Sequence, residues 1–241
     1  YKYSHKDFNL LAPVKIKLKT VDGFEINTWH FKTSTDKKKT TIVIAGGDAG
    51  NMSYSLFYVK RLVDLGFDVV TFDYRGFGKS SDFKINKDYL FYSEFSIDLE
   101  TVIEYLQNTI SINTIGLMSF SMGTIITAIS YNKIQYALSF IISENFVINP
   151  YKIKDNLYIE KKRKVFIPKN ITRREFEECL KSINTPMLMF FGNNDLITTV
   201  KEGEEIKSVL NKKGVYVDLI THNGGHGDGV LFLKENDTED S

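Results

Sequence analysis

The sequence has little cysteine, no excess charge of either sign and no long apolar run. Cys179 is the single cysteine among 241 residues, which excludes an intrachain disulfide and fits a reducing compartment. The 31 Lys and Arg side chains against 30 Asp and Glu leave a formal net charge of +1, so no whole-molecule field favours nucleic acid or an anionic membrane. We therefore expect no nucleic-acid partner.

No apolar run approaches the roughly 18 to 20 residues that a membrane-spanning helix needs, and no signal-peptide pattern opens the chain. The first residue is Tyr1 rather than Met, so the sequence does not exclude a preceding leader or membrane anchor. We expect a cytoplasmic location, with membrane anchoring by a preceding segment as the alternative. The sequence gives no indication of an oligomeric state.

What the sequence does contain is a hydrophobic pattern that changes between the periods of strands and helices. The runs "VKIKLKT" (14–20) and "FEINTWHFKT" (24–33) alternate strictly around a turn, which predicts an antiparallel hairpin. Short β-branched runs then alternate with amphipathic segments at 53–66, 93–109, 122–134 and 199–213. This order predicts one α/β domain over 1–241, with a mostly parallel sheet, an antiparallel N-terminal edge and helices on both faces.

Segment 148–184 breaks the alternation of strand and helix and is the candidate for a small lid or insertion. It contains ten basic and five acidic residues, a net charge of +5. The ordinary interpretation of such a charge run is a solvated helical face. The alternative is a basic lid that meets an anionic surface or an acidic substrate.

The stretch "SFSMG" (119–123) lies where the strand "TIGLMSF" passes into a helix. A serine at such a point can project its hydroxyl only if the backbone turns sharply, which requires small residues two before and two after it. Ser119 and Gly123 provide them around Ser121, whereas centring on Ser119 would place the bulky Leu117 in the turn. Ser121 is therefore the candidate nucleophile, in a variant of the G-x-S-x-G elbow.

A serine hydroxyl becomes a useful nucleophile when a histidine takes its proton and a carboxylate orients that histidine. Asp195 follows the buried strand "PMLMFFG", and His226 lies in the glycine-rich loop "NGGHGDG" after the last strand. The chain order Ser121, Asp195, His226 is the order in which α/β-hydrolases carry their triad.

Other assignments remain open at this point. Asp195 could instead cap the turn before the next helix, although "TVKE" (199–202) already supplies a capping-box pattern. Glu144, after the strand "ALSFIIS", is a second candidate acid, and His222, at the end of the last strand, is a second candidate base. Asp228 is interpreted as a residue that orders the histidine loop.

Acyl transfer also needs two N–H donors for the oxyanion. The backbone N–H of Met122, directly after the nucleophile, is the first predicted donor. The second is expected from the loop "GGDAGN" (46–51), whose glycines allow close approach of the main chain. We assign it to the N–H of Asp48, with Gly47 as the alternative.

With these motifs in place the chain resembles the α/β-hydrolase superfamily over nearly its whole length. "GGDAGN", "DYRGFGKS" (73–80) and the "GGHGD" loop are similar to the branch that contains membrane-associated protein depalmitoylases and their bacterial relatives. That branch usually has H-G-N-A-G-N in the first loop, so Gly46 and Asp48 are departures. Ser119 replaces the first elbow glycine.

The resemblance implies a structural role for Asp73 and Arg75, which would order the turn before "GFGKS". This stretch is not a phosphate-binding loop, because Asp73 occupies the position where that motif requires a glycine.

The expected function is hydrolysis of a carboxylic ester or thioester by a Ser-Asp-His triad, without metal or cofactor. The resemblance implies a substrate with a medium or long acyl chain. The sequence neither indicates nor excludes membrane association. Two alternatives are a serine peptidase of the same fold and a non-catalytic binding or regulatory protein, which the altered oxyanion loop would favour.

Overall fold

The computed structural model describes residues 1–33, 40–48, 50–110, 112 and 114–229. These residues form an eight-stranded sheet in the order β1-β2-β4-β3-β5-β6-β7-β8. The strands are β1 Val14–Lys19, β2 Glu25–Phe31, β3 Thr40–Ala45, β4 Asp68–Phe72, β5 Thr114–Phe120, β6 Leu138–Glu144, β7 Met187–Gly192 and β8 Val217–His222. β2 is antiparallel to both β1 and β4, and β3 to β8 are parallel, as the pattern predicts.

Helices cover both faces of this sheet. They are α1 Leu56–Asp64, α2 Phe95–Glu104, α3 Met122–Ile134, α4 Pro150–Lys161, α5 Arg173–Ser182 and α6 Val200–Asn211. The core on one face contains apolar side chains of α1 and the N-terminal segment, and the larger core on the other face contains those of α2, α3, α5 and α6. Helix α1 connects β3 to β4, toward one edge of the sheet, whereas α3 connects β5 to β6, toward the other edge. Because both crossovers are right-handed, α1 and α3 lie on opposite faces. Among the helices of the described ranges, none combines the length and apolarity needed to cross a bilayer.

Segment 148–184 lies between β6 and β7 and consists of α4, an extended stretch and α5. α5 buries Phe176 and Leu180 in the larger core. The extended stretch follows the loop before α2, since Leu90 donates its N–H to the carbonyl of Phe166 at 2.9 Å. α4 also buries Ile153 in the larger core, so both helices and the centre of the segment are attached to the rest of the domain. The role of the segment as a lid stays a prediction.

Asp73 and Arg75 are buried and make the contacts expected of structural residues. The Asp73 carboxylate accepts the N–H groups of Met52 at 2.8 Å and Lys79 at 3.0 Å, and so joins two loops. Arg75 forms ion pairs with Asp98 at 2.7 Å and Asp22 at 2.5 Å. These bonds hold the turn after β4 in a fixed shape next to the site.

Parallel strands bring the loops at their carboxyl ends to one edge of the sheet, where ligands bind in open α/β folds. The loops after β3, β5, β6, β7 and β8 meet there. They carry, in order, Asp48, Ser121, Asn145, Asp195 and His226.

Candidate active site

Ser121 occupies the sharp turn between β5 and α3. Its φ of 47° and ψ of −112° lie outside the regions that non-glycine residues usually adopt. The turn is fixed by two backbone bonds: Ser121 donates its N–H to the carbonyl of Glu144 at 3.1 Å, and Thr124 donates to the carbonyl of Ser121 at 2.9 Å. These bonds hold Ser121 in its strained conformation, and that conformation exposes the hydroxyl.

The small neighbours of Ser121 are required by close packing. A Cβ atom at Gly123 would lie 2.3 Å from the carbonyl oxygen of Ala45, so a side chain there would push α3 away from β3. Ser119 is fully buried and pairs in register with Ala45 on β3 and Ser143 on β6. The structure therefore places Ser119 beneath the elbow and Ser121 at its tip.

Ser121, His226 and Asp195 form a continuous hydrogen-bonded chain. Ser121 Oγ lies 2.9 Å from His226 Nε2, and His226 Nδ1 lies 2.8 Å from Asp195 Oδ2. The His226 side chain is 28 % exposed whereas that of Asp195 is fully buried. The arrangement thus passes from a buried carboxylate to a hydroxyl that a substrate can reach.

Asp195 is held in place by donors from its own turn. Its Oδ1 accepts the N–H groups of Ile197 at 2.7 Å and Thr198 at 3.0 Å, and its Oδ2 accepts the Thr198 hydroxyl. Burial favours the neutral acid, but the hydrogen bond and charge of His226, together with the bonds from Thr198, lower the pKa of Asp195 below its ordinary value. The group is therefore an anion at neutral pH.

Asn145 is a site residue that the sequence reasoning missed. Its Nδ2 donates to Asp195 Oδ2 at 2.7 Å, and its Oδ1 accepts the N–H of Gly227 at 3.1 Å. Its backbone has a φ of 57°, a left-handed conformation that asparagine tolerates better than most residues. Its position directly after a strand end was the available signal. The side chain links the acid to the histidine loop.

The alternative acid and base are near the site but do not contact its reactive atoms. The Glu144 carboxylate accepts the Tyr58 hydroxyl at 2.7 Å and the N–H of Gly229 at 2.9 Å. Burial and the neighbouring charge of Glu144 raise the pKa of Tyr58, which keeps the phenol protonated as a donor. His222 is buried at the end of β8, so the structure brings His226 rather than His222 to Ser121.

Asp228 and the capping-box residues have the positions expected for them. Asp228 accepts the N–H of Gly225 at 2.7 Å and so orders the histidine loop. Thr199 and Glu202 form a reciprocal capping box at the start of α6. Asp195 is consequently not needed as the cap of that helix.

The two predicted oxyanion donors face different surroundings. Met122 is the first residue of α3, so its N–H has no acceptor within the helix. The loop after β3 approaches the elbow closely, since a Cβ at Gly47 would lie 3.5 Å from the carbonyl oxygen of Phe120. Ala49 of this loop lies outside the described residues. The Asp48 carboxylate is 3.3 Å from Arg163 Nη1, which offsets its charge.

Two cavities adjoin the elbow and share the Asp48 loop. The first, of about 340 Å³, opens over Ser121 and His226 and has Tyr58 and Glu144 in its wall. The second, of about 450 Å³, includes Met122 and is mostly aromatic and aliphatic. Its apolar wall contains Phe77, Ile85, Tyr89, Leu90, Phe91 and Tyr92. Both volumes are typical of small-molecule sites.

Within the described part of the chain, no three or more His, Cys, Asp or Glu side chains form a group able to hold a metal ion.

Comparisons with known proteins find similarity to hydrolases and to an acyl transferase. The family model described as serine aminopeptidase, S33, matches residues 36–151. A stretch of 62 residues is 45 % identical to the uncharacterized protein YfhR of Escherichia coli K12, covering 24 % of this chain and 22 % of YfhR. An acyl transferase of Photobacterium phosphoreum is 24 % identical over 259 residues, which is 95 % of this chain and 83 % of that protein.

Among solved structures, the esterase Pf2001 of Pyrococcus furiosus superposes with a TM-score of 0.77 at 16 % identity. The superposition covers 99 % of this chain and 93 % of the esterase. Identity at this level shows a common fold and leaves the chemistry to be argued from the site.

Proposed function

We propose that this chain, which has the α/β-hydrolase fold and matches a serine aminopeptidase family model over residues 36–151, is a serine hydrolase that cleaves a carboxylic ester or thioester through an acyl-enzyme. The observation that carries the proposal is the continuous contact from Ser121 Oγ through His226 to Asp195, at 2.9 and 2.8 Å. Nucleophile and base within hydrogen-bond reach, with the base oriented by a third group, is the arrangement that activates a serine.

In the first half-reaction, Ser121 Oγ attacks the substrate carbonyl carbon while His226 Nε2 takes the hydroxyl proton. The C–O or C–S bond to the leaving group then breaks, and His226 gives the proton to that leaving group. In the second half-reaction, His226 Nε2 takes a proton from water, whose oxygen attacks the acyl carbon. The bond from that carbon to Ser121 Oγ then breaks, the acid is released, and His226 returns the proton to Oγ. Asp195 stays ionised throughout and holds Nδ1–H directed toward itself.

The negative charge on the carbonyl oxygen needs donors that are already in place. The N–H of Met122 and the N–H of Asp48 are the proposed pair, and removal of one such donor costs about 2.7 to 4 kcal/mol in comparable enzymes. The ion pair with Arg163 supports this role for Asp48, because it offsets a carboxylate that would otherwise oppose a nearby oxyanion.

The second cavity is the proposed place for the acyl chain. It begins at Met122, next to the reacting carbonyl, and its wall is largely aromatic and aliphatic. A cavity of this volume with an apolar wall favours a medium-length hydrocarbon group. The esterase and acyl-transferase similarities support acyl chemistry without specifying whether the scissile bond is an ester or a thioester.

A peptidase of the same fold is the second candidate. The observation that favours it is the Glu144 carboxylate in the wall of the cavity that holds Ser121. A carboxylate beside the nucleophile could bind the ammonium group of a peptide N-terminus, and the matching family model is described as a serine aminopeptidase. The bonds from Tyr58 and Gly229 already occupy that carboxylate, which makes this the weaker alternative.

The primary test is labelling with a fluorophosphonate probe, followed by a p-nitrophenyl ester series of increasing chain length. Wild type should label at Ser121, and Ser121→Ala should lose labelling and on the order of 10⁶-fold in kcat. Ser119→Ala is the matched control, since it removes a hydroxyl two residues away and should retain labelling. Absence of labelling in folded wild type would contradict the proposal and favour a binding protein.

The same series separates the two enzymatic candidates. An optimum at an intermediate chain length would fit the apolar cavity. Faster turnover of an aminoacyl amide than of any ester, with loss of that preference in Glu144→Gln, would favour the peptidase.

A further inference from the structure

The excess positive charge of segment 148–184 is concentrated in its first half. Residues 150–169 contain seven basic and two acidic side chains. The six charges of α5 cancel, with Arg173 paired to Glu177 and Arg174 to Glu178. The net charge of +5 therefore belongs to α4 and the extended stretch after it.

Two of the seven cations in this half are paired. Lys152 lies 3.1 Å from Glu202, and Arg163 pairs with Asp48. The other five are lysines, and among the described residues none of them has a carboxylate within ion-pair distance: Lys154, Lys161, Lys162, Lys164 and Lys169. A surface with this many unpaired like charges is favourable only where it faces water or an anionic partner.

Large apolar side chains stand exposed among these lysines. Tyr158 is 51 % exposed and Phe166 is 56 % exposed. They border a groove with Lys154, Asp155 and Lys164, and Lys164 Nζ lies 5.9 Å from the centre of the Tyr158 ring. Lys169 lines an adjoining groove with Lys154 and Phe166. We call Lys154, Tyr158, Lys164, Phe166 and Lys169 the basic-aromatic patch.

The basic-aromatic patch adjoins the opening of the apolar cavity. The ring of Phe166 is 6.1 Å from that of Tyr89, which lines the cavity. Arg163, directly before Lys164, lines the same cavity. A partner seated on the patch would therefore lie beside the wall of the cavity that includes Met122.

We propose that the basic-aromatic patch docks the protein on the surface of an anionic lipid bilayer. Lysines near such a surface are attracted by its negative potential, and aromatic side chains insert at the headgroup boundary. The chain as a whole is almost neutral, so this attraction is local and orients the cavity opening toward the lipid. An acyl chain could then pass from the bilayer into the cavity without crossing water.

Side-chain composition favours lipid over an acidic protein. Protein–protein interfaces are depleted in lysine and enriched in arginine. The unpaired cations in this half are all lysines, whereas its one arginine is engaged with Asp48. A bilayer attracts either cation and needs no complementary shape.

Vesicle co-sedimentation tests the proposal, with phosphatidylcholine vesicles with and without phosphatidylserine, at low and physiological ionic strength. Wild type should bind the anionic vesicles and lose binding as salt rises. The triple variant Lys154→Gln, Lys164→Gln, Lys169→Gln should bind more weakly by about fivefold for each lysine, or roughly 100-fold in total. The matched control replaces three exposed lysines elsewhere, Lys15, Lys19 and Lys212, by glutamine and should bind like wild type.

A second pair of variants tests the aromatic contribution. Phe166→Ala should weaken binding at physiological salt. Tyr136→Ala removes an exposed ring from the turn between α3 and β6, outside the patch, and should not weaken it. Thermal unfolding of each variant shows whether it is folded. Ser121→Ala should bind vesicles as wild type does, so vesicle binding tests the docking proposal independently of the proposed hydrolysis.

Three outcomes would overturn the proposal. Equal binding to neutral and anionic vesicles would remove the role of charge, and equal binding of the triple variant and its control would remove the role of this patch. Failure to bind vesicles, together with triple-variant-sensitive binding to poly-glutamate, would point to an acidic protein instead.

Discussion

Two buried clusters, each containing acidic and basic side chains, lie where the carboxyl ends of the strands meet. They differ in whether one of their members contacts an atom that a substrate can reach. In the first, Arg75 is enclosed between Asp98 and Asp22, and its side chain is 1 % exposed. In the second, Asp195 is equally buried, but its partner His226 reaches Ser121 at the wall of a cavity. Both clusters order a turn after a strand, and only the second leads to an atom that a substrate can reach.

The comparison shows that a buried charge at a strand end is not by itself evidence of catalysis. Each of the three guanidinium nitrogens of Arg75 donates to a carboxylate of Asp22 or Asp98. His226 has one ring nitrogen engaged by Asp195 and directs the other at a hydroxyl. Variants of each cluster should show whether its loss lowers activity, stability or both.

Asp195→Asn should have the largest effect on activity. An amide at this position stabilises the wrong tautomer of His226, and comparable triads then lose about 10⁴-fold in kcat. Ester hydrolysis and thermal unfolding should be measured together, with Asp64→Asn, which alters an exposed acid at the end of α1, as the control. Retention of most activity would show that another carboxylate orients the histidine.

The same variant also changes how stability depends on pH. Because the folded-state pKa of Asp195 is lowered, the carboxylate contributes stability above its unfolded pKa of about 3.9 and loses it as pH falls through the folded value. The stability advantage of wild type over Asp195→Asn should therefore shrink below about pH 4. Urea unfolding at a series of pH values measures this, and an advantage that grows toward acid would contradict it.

Arg75→Met should act mainly on stability. Removing one partner of a buried ion pair leaves Asp98 uncompensated, at a cost of about 3 to 5 kcal/mol in unfolding free energy. The fraction that remains folded should keep its fluorophosphonate labelling, since Arg75 does not contact the triad. A variant of normal stability with lost labelling would place Arg75 in the catalytic cluster instead.

Asn145→Ala should produce an intermediate effect on the catalytic cluster. It removes a donor to Asp195 and the acceptor of Gly227, each a buried bond whose loss costs about 1 to 3 kcal/mol. We expect kcat to fall by roughly tenfold to a hundredfold with KM little changed, because positioning is lost rather than binding. Asn132→Ala, on the exposed end of α3, is the control.

Asp48→Asn should have the smallest effect. It removes an ion pair that is partly exposed, which is worth at most about 1 kcal/mol, and it keeps the backbone donor. Ester turnover should change by less than about fivefold. A much larger gain in kcat would show that the wild-type carboxylate faces the developing oxyanion despite Arg163.

Local sequence was sufficient for the elbow and the general arrangement of the sheet. The period of the apolar runs predicts the strands, and the sizes of Ser119 and Gly123 distinguish Ser121 from its neighbour. Asp195 and His226 follow from their positions after strand ends, since parallel strands bring those ends together. Their catalytic roles stay predictions until the variants above are measured.

Contacts between distant segments could not be predicted in this way. Asn145 is 50 residues from Asp195, and Asp48 is 115 residues from Arg163. Each pair depends on the path of a loop, which has no periodic pattern to predict it. The charge of segment 148–184 was evident from the sequence, but which of its lysines lack a carboxylate partner depends on how the fold places distant side chains.

The distance along the chain between the serine and its base has a consequence for synthesis. Ser121 and His226 are 105 residues apart, and the histidine follows β8, the strand at the far edge of the sheet. A chain emerging from the ribosome carries the elbow long before the base exists, because synthesis runs from the N-terminus. On the proposed mechanism, the nascent protein would not react with esters until β8 has docked on the sheet, and reactivity toward a fluorophosphonate would report that docking.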